Sequence, residues 1–154
     1  MKITLSEYIE KRNGVPAGNS KSLRNNLYRS LGAKNFAIFW NYWKPIFSYY
    51  LGYYIFKPLK MYLPKNIALV FTFLFCGAFH DLVTLLFTQK TAFLFSIWFL
   101  LMAFGVLGSS QLKLNFTDKS WVVRSFINLF IIGFCLFLAY YVKILSGVEL
   151  SFQN

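Results

Sequence analysis

Three long apolar runs occupy the second half of the chain: Ile67 to Thr88, Ala92 to about Ser110, and Trp121 to about Leu145. Each has the roughly 20 residues that an α-helix needs to cross the hydrocarbon of a bilayer at a rise of about 1.5 Å per residue. The linkers between them, at 88–91 and 111–120, are short and polar. The pattern predicts three sequential, antiparallel membrane-spanning helices, at 67–88, 92–110 and 121–145.

Residues 1–35 form a basic leader with a different pattern. A loop rich in Gly, Pro, Asn and Ser is followed by Leu23, Leu27 and Leu31, whose spacing of four places them on one face of a helix. A short helix with one apolar face and many cations is typical of a membrane surface. We expect the leader to be cytoplasmic and interfacial.

An aromatic segment at 36–60 separates the leader from the apolar runs. Eleven of the 21 residues from 36 to 56 are Phe, Trp or Tyr, and Trp and Tyr side chains prefer the headgroup boundary. Pro45 breaks or kinks any helix there. The segment is therefore predicted to be interfacial or re-entrant, not a straight span.

Composition and charge support this assignment. The chain is 57% hydrophobic and 14% charged, which is too apolar for a typical water-soluble domain. The net charge of +11 comes from cations in the leader and beside the apolar runs, so we expect membrane lipids and not nucleic acid as partners. The prediction is one all-α membrane domain, 1–154, in a bacterial inner membrane with a cytoplasmic N-terminus.

The only histidine, His80, lies inside the first apolar run, next to Asp81. Ionisable groups at this depth are energetically costly and commonly mark function. A polar stripe with a spacing of four runs through the histidine: Thr72, Cys76, His80, Thr84 and Thr88. The alternative is a packing face, on which the threonines bond to their own helix and His80 pairs with a neighbouring carbonyl.

A second polar line crosses the aromatic segment. Asn41, Lys44, Ser48 and Gly52 are spaced three, four and four apart, so they are expected to share one helix face. The alternative is that Lys44 extends to the membrane surface and Asn41 caps a turn near Pro45. One histidine and two cysteines at unrelated positions predict no metal site.

Together these elements resemble the motifs of the membrane-bound O-acyltransferase family. Its members pair an aromatic Phe-Trp-x-x-Trp stretch, followed by Asn or His, with a downstream apolar helix that carries a nearly invariant histidine. The matching segments here are FWNYWKP at 39–45, FCGAFHD at 75–81, and YYIFKPL at 53–59, which looks like the family's connector. Lys44 stands where the family has its polar catalytic partner, and full-length members are several times longer.

The resemblance implies an O-acyltransferase with no bound cofactor and an acyl thioester, such as acyl-CoA, as donor substrate. His80 would be the general base, and Asn41 or Lys44 would stabilise the oxyanion. Asp81, Thr84, Cys76 and Ser48 are the candidate substrate-binding residues.

Two other functions remain open at this stage. A non-catalytic scaffold or lipid-binding subunit derived from the same family would keep the histidine helix for packing. A small proton-conducting channel lined by the stripe is the other alternative. For each function, we expect a homo-oligomer or a larger membrane partner to help bury the polar groups.

Overall fold

The structure is a computed structural model that describes residues 3–91, 93–147 and 150–151. The described part is almost entirely helical. In chain order the helices are α1 (Leu5–Asn13), α2 (Ser22–Leu31), α3 (Phe36–Tyr42), α4 (Pro45–Tyr50), a π-helix (Leu51–Phe56), α5 (Lys57–Tyr62), α6 (Lys65–Thr88), α7 (Leu94–Gln111) and α8 (Trp121–Ser146). Two short strands, β1 (Lys90–Thr91) and β2 (Leu150–Ser151), pair antiparallel near the α6–α7 turn.

The three predicted spans are confirmed as α6, α7 and α8, which are long and apolar enough to cross a membrane. Their bounds agree with the apolar runs to within about two residues. The predicted first residue of the second span, Ala92, lies outside the described residues. In the described chain α7 begins at Leu94, because Phe93 has a positive φ of 53° and precedes the helix.

Helix α7 is the middle helix of the bundle and contacts both α6 and α8. Its approach to α6 is close: a Cβ added to Gly77 would lie 2.6 Å from the Cα of Ser96. On the other side the Trp98 indole N–H donates to the Ile132 carbonyl of α8 at 3.1 Å. The sequential, antiparallel order of the three helices is therefore as predicted.

Helix α3 packs across α7 and supplies much of the core. Phe36 and Phe39 are fully buried against Met102 and Val106. The α3 backbone is also tied to α7, because the N–H of Ala37 donates to the Ser109 hydroxyl at 3.1 Å. The start of the aromatic segment thus belongs to the core of the fold.

The aromatic segment was predicted not to form a straight span, and in the structure it does not form one. The backbone is extended at Trp43 and left-handed at Lys44, whose φ is 42°, so α3 ends and α4 begins anew at Pro45. The predicted common face of Asn41, Lys44 and Ser48 is therefore wrong, because no single helix carries all three residues. Beyond the break, α4, the π-helix and α5 form one helical run from 45 to 62.

The basic leader folds into α1 and α2, and its predicted amphipathic helix is confirmed as α2. The end of α2 is held by Asn128 of α8, whose side-chain amide donates to the carbonyls of Leu31 and Ala33 at 2.9 and 3.0 Å. Helix α1 packs on α4, where the Tyr8 and Tyr49 rings meet edge to face. The leader is thereby joined to the helices that carry the candidate site.

Candidate functional site

His80 lies on α6 and points toward α7. Its ring centroid is 5.5 Å from that of Phe95 and 5.3 Å from that of Phe99, and both contacts are edge to face. The rest of the imidazole is exposed, and within the described chain it has no hydrogen-bond partner. The two phenylalanine rings contact one side of the imidazole, and no side chain of the described residues hydrogen-bonds to its ring nitrogens.

Lys44 is brought to His80 from a distant part of the sequence. The ammonium group is exposed and lies within electrostatic range of the imidazole. It also lies over the rings of Trp43 and Phe47, 5.8 and 6.0 Å from their centroids. Aromatic faces attract cations, so these rings help to hold the ammonium group at the break between α3 and α4.

Asn41 and Ser48 lie on opposite sides of that break. Asn41 is exposed in the last turn of α3. The Ser48 hydroxyl donates to the Trp43 carbonyl at 2.9 Å, a carbonyl that would otherwise have no helical partner at the end of α3. Ser48 therefore stabilises the turn that presents Lys44.

Asp81 is buried, with 3% of its surface exposed. Its carboxylate accepts hydrogen bonds from the backbone N–H groups of Phe95 at 3.1 Å and Ser96 at 2.7 Å, and from the Thr91 hydroxyl at 3.4 Å. The first N–H groups of a helix have no partner within the helix, and they carry partial positive charge. Asp81 thus caps α7 from the neighbouring helix.

Thr84 lies one turn beyond His80 and lines a cavity of about 150 Å³ that Asp81 also lines. Two lysines, Lys90 and Lys143, are in the same lining. The Thr84 hydroxyl donates to the His80 carbonyl at 2.9 Å, and its oxygen keeps lone pairs for another donor. The structure therefore brings two of the candidate substrate-binding residues, Asp81 and Thr84, to one cavity.

Among the remaining members of the polar stripe, the two threonines donate hydrogen bonds to carbonyls of α6. Thr72 donates to the Ala68 carbonyl at 2.7 Å and Thr88 to the Thr84 carbonyl at 2.8 Å. Cys76 is half-buried and is a free thiol. Threonines that bond to their own helix were expected if the stripe is a packing face, so the stripe alone does not define a site.

Sequence reasoning missed the α7 side of the site. Phe95 and Phe99 contact His80, and the backbone of Ser96 binds Asp81. Phenylalanines in an apolar run carry no distinguishing signal. Gly77, one turn before Asp81 on α6, is a sequence signal that could have indicated a close helix neighbour at this point. Within the described residues no group of three or more His, Cys, Asp or Glu side chains could hold a metal ion.

The comparison with known families decides the assignment. Residues 12–143 match the membrane-bound O-acyltransferase family. The chain belongs to this family. It is thus an integral membrane protein of a family of membrane acyltransferases, and both the FWNYWKP and FCGAFHD segments lie inside the matched range. No curated protein and no solved structure matches the chain.

Proposed function

We propose that this membrane-bound O-acyltransferase family member transfers an acyl group from a thioester donor, such as acyl-CoA, to a hydroxyl acceptor at the surface around His80. The observation that carries the proposal is an imidazole held by the rings of Phe95 and Phe99 that has no hydrogen-bond partner in the described chain. The ammonium of Lys44, 36 residues away in sequence, lies within electrostatic range of it. Both groups lie in segments that resemble the family's motifs, which supports a shared role in the reaction.

The proposed reaction needs one proton acceptor and one oxyanion donor. Neutral His80 takes the proton of the acceptor hydroxyl while its oxygen attacks the thioester carbonyl. The new C–O bond gives a tetrahedral oxyanion, which the Lys44 ammonium or the Asn41 amide stabilises. The C–S bond then breaks, and the thiolate takes the proton from His80. The products are an ester and a free thiol.

The other site residues support these two. Asp81 is a positioning residue, because its carboxylate holds α6 against the α7 turn whose Phe95 contacts His80. Thr84, one turn from His80, accepts a hydrogen bond from the acceptor substrate in this proposal. Ser48 positions Lys44 through the Trp43 carbonyl. Cys76 is half-buried one turn before His80 on α6 and contacts the substrate in this proposal.

The test is thiol release and ester formation by the purified protein in lipid vesicles supplied with acyl-CoA and candidate hydroxyl acceptors. We expect His80→Ala to reduce transfer by a factor of about 100 or more, the range found for loss of acid–base groups. Thr72→Val is the matched control, because Thr72 is on the same stripe but bonds only to its own helix. Equal activity of His80→Ala and wild type would remove His80 from the mechanism.

A second function has its own support. Lys44 replaces the residue that serves as the family's catalytic partner. The threonines of the stripe donate their hydrogen bonds to carbonyls of α6 itself. These features favour a non-catalytic scaffold or lipid-binding subunit. Under this function, His80→Ala changes assembly or thermal stability, and the wild-type protein consumes no thioester.

We also propose that the N-terminus faces the cytoplasm of a bacterial inner membrane. The cations at the start of α6 and around the α7–α8 linker outnumber Lys90 and Lys143 at the other end. Single cysteines in a Cys76→Ala/Cys135→Ala background would test this orientation. An impermeant maleimide added to intact cells is expected to label Gln89→Cys and to leave Ser120→Cys unlabelled, and the reverse would overturn it.

A further inference from the structure

An apolar groove of about 500 Å³ lies on the outer side of α6, away from the candidate site. It is formed where the π-helix and α5 run alongside α6. Apart from the Tyr54 ring, whose hydroxyl is the one polar side-chain group, its walls are hydrocarbon. The main lining residues are Tyr54, Ile55 and Leu59 on one wall and Phe71, Phe75 and Ala78 on the other.

The groove and His80 are on nearly opposite faces of α6. Ala78 and His80 are two residues apart, and at 3.6 residues per turn their side chains diverge by about 160°. Phe71 and Phe75 share the direction of Ala78, whereas His80 contacts the rings of α7. A molecule in the groove would therefore not reach the imidazole, so the groove is distinct from the proposed reaction site.

One end of the groove is strongly basic. Lys57 and Lys60 flank the groove residues Pro58 and Leu59, and Lys65 begins α6 beside them. All three lysines are exposed. The sequence from 11 to 80 contains no Asp or Glu, so no acidic side chain from the aromatic segment or the first half of α6 neutralises this cluster. This excess of positive charge favours an anionic partner.

We propose that the groove binds one acyl chain of an anionic phospholipid, with the lipid phosphate held by Lys57, Lys60 and Lys65. A hydrocarbon chain suits the apolar walls, and each basic residue near the surface strengthens the attraction of an anionic headgroup. A second helix is a poorer occupant, because a helix with side chains is about 10–12 Å wide. The site does not depend on acyl transfer.

The experiment is native mass spectrometry of the detergent-purified protein titrated with phosphatidylglycerol or phosphatidylcholine of identical chains. We expect one phosphatidylglycerol to bind with an affinity about tenfold or more above that of phosphatidylcholine. The triple variant Lys57→Gln/Lys60→Gln/Lys65→Gln removes this preference. The matched control, Lys34→Gln/Lys113→Gln/Lys119→Gln, removes the same number of charges from exposed lysines of other linkers. It is expected to retain the preference for phosphatidylglycerol.

A second variant tests the groove itself. Ala78→Phe fills the space between α6 and the π-helix and is expected to reduce binding of both lipids, whereas Val122→Phe on the exposed face of α8 leaves binding unchanged. Circular dichroism and gel filtration establish that each variant is folded. Equal binding of both lipids by wild type, or loss of the preference in the matched control, overturns the proposal. So does a folded Ala78→Phe variant that binds phosphatidylglycerol as wild type does.

Discussion

The carboxylate of Asp81 accepts a 2.7 Å hydrogen bond from the backbone N–H of Ser96, which ties the middle of one spanning helix to the first turn of the next. The same carboxylate binds the N–H of Phe95, whose ring contacts His80. Asp81, next to the candidate base, therefore holds α6 against α7 at the point where the imidazole contacts α7.

Removing this cap is expected to destabilise the protein. Asp81→Ala leaves two helix N–H groups without their acceptor, and we expect a loss of about 1–3 kcal/mol. Asp81→Asn keeps one acceptor oxygen but loses the second, together with the charge that the helix dipole favours, so we expect a loss of about 1–2 kcal/mol. Thermal unfolding in detergent measures both. Asp118→Asn is the control, because Asp118 is exposed and paired only with Lys119, and a larger effect there would contradict this role of Asp81.

The contact between α6 and α7 also depends on Gly77. Gly77→Ala would put a Cβ 2.6 Å from the Ser96 Cα and 2.7 Å from the Phe95 carbonyl oxygen, so backbone must move, and we expect a loss of about 1–3 kcal/mol. Gly108→Ala on α7 is the matched control. A Cβ at Gly108 meets nothing within 4 Å, and the change is expected to stabilise by up to about 1 kcal/mol. Similar unfolding temperatures for the two variants would refute the close approach.

Asn128 links the leader to the spans, together with Trp121, whose indole N–H donates to the Tyr28 carbonyl at 3.0 Å. The Asn128 amide donates to two carbonyls at the end of α2, and Asn128→Ala leaves both unpaired, at a cost of about 1–3 kcal/mol. Limited proteolysis should then cut the loop between α1 and α2 faster than in wild type. Asn66→Ala, at an exposed position of α6, serves for comparison and should leave the cleavage rate unchanged.

The first helix should respond to acid. Two hydrogen bonds from Thr4 lower the pKa of Glu7 below its ordinary value of 4.5. Because the folded pKa is lowered, the stabilisation of α1 is fully present above pH 4.5 and is lost as the pH falls through the folded pKa. Protection factors of the α1 amides, which correct for the intrinsic pH dependence of hydrogen exchange, measure this loss as a function of pH. Glu7→Gln should remove the pH dependence, and an unchanged profile in that variant would contradict the assignment.

Lys44 combines an unfavourable backbone conformation with a proposed catalytic role. A non-glycine residue at φ 42° before a proline is strained by about 1–3 kcal/mol. Lys44→Gly should therefore raise the unfolding temperature while it lowers the rate of acyl transfer. Lys44→Asn accepts the left-handed backbone and retains a hydrogen-bond donor, so it should be more active than Lys44→Gly. A fall in both stability and rate for Lys44→Gly would exclude strain at this residue.

The spans and the break at Pro45 could be predicted from the sequence because both arise from local chemistry. An apolar run of about 20 residues is typical of a helix that spans a lipid bilayer. A proline restricts the backbone conformation of its own residue and of the preceding one wherever it lies. The failed expectation of one face through Asn41, Lys44 and Ser48 came from applying helical spacing across that break.

The arrangement of the site could be predicted only in part. His80 was identified because an imidazole in a spanning helix is costly, but the partners of Asp81 are backbone N–H groups of α7, which every sequence contains. The contact between His80 and Phe99 likewise depends on how two apolar helices are rotated against each other. No spacing rule encodes that rotation.

The most direct test of the central claim is the rate of acyl transfer from acyl-CoA by His80→Ala, measured in the same vesicles as wild type and Thr72→Val. Wild type and Thr72→Val are expected to form ester and free thiol at similar rates, while His80→Ala retains about 1% or less of that activity. An active, folded His80→Ala variant, or a wild-type protein that releases no thiol with any hydroxyl acceptor, would contradict this claim.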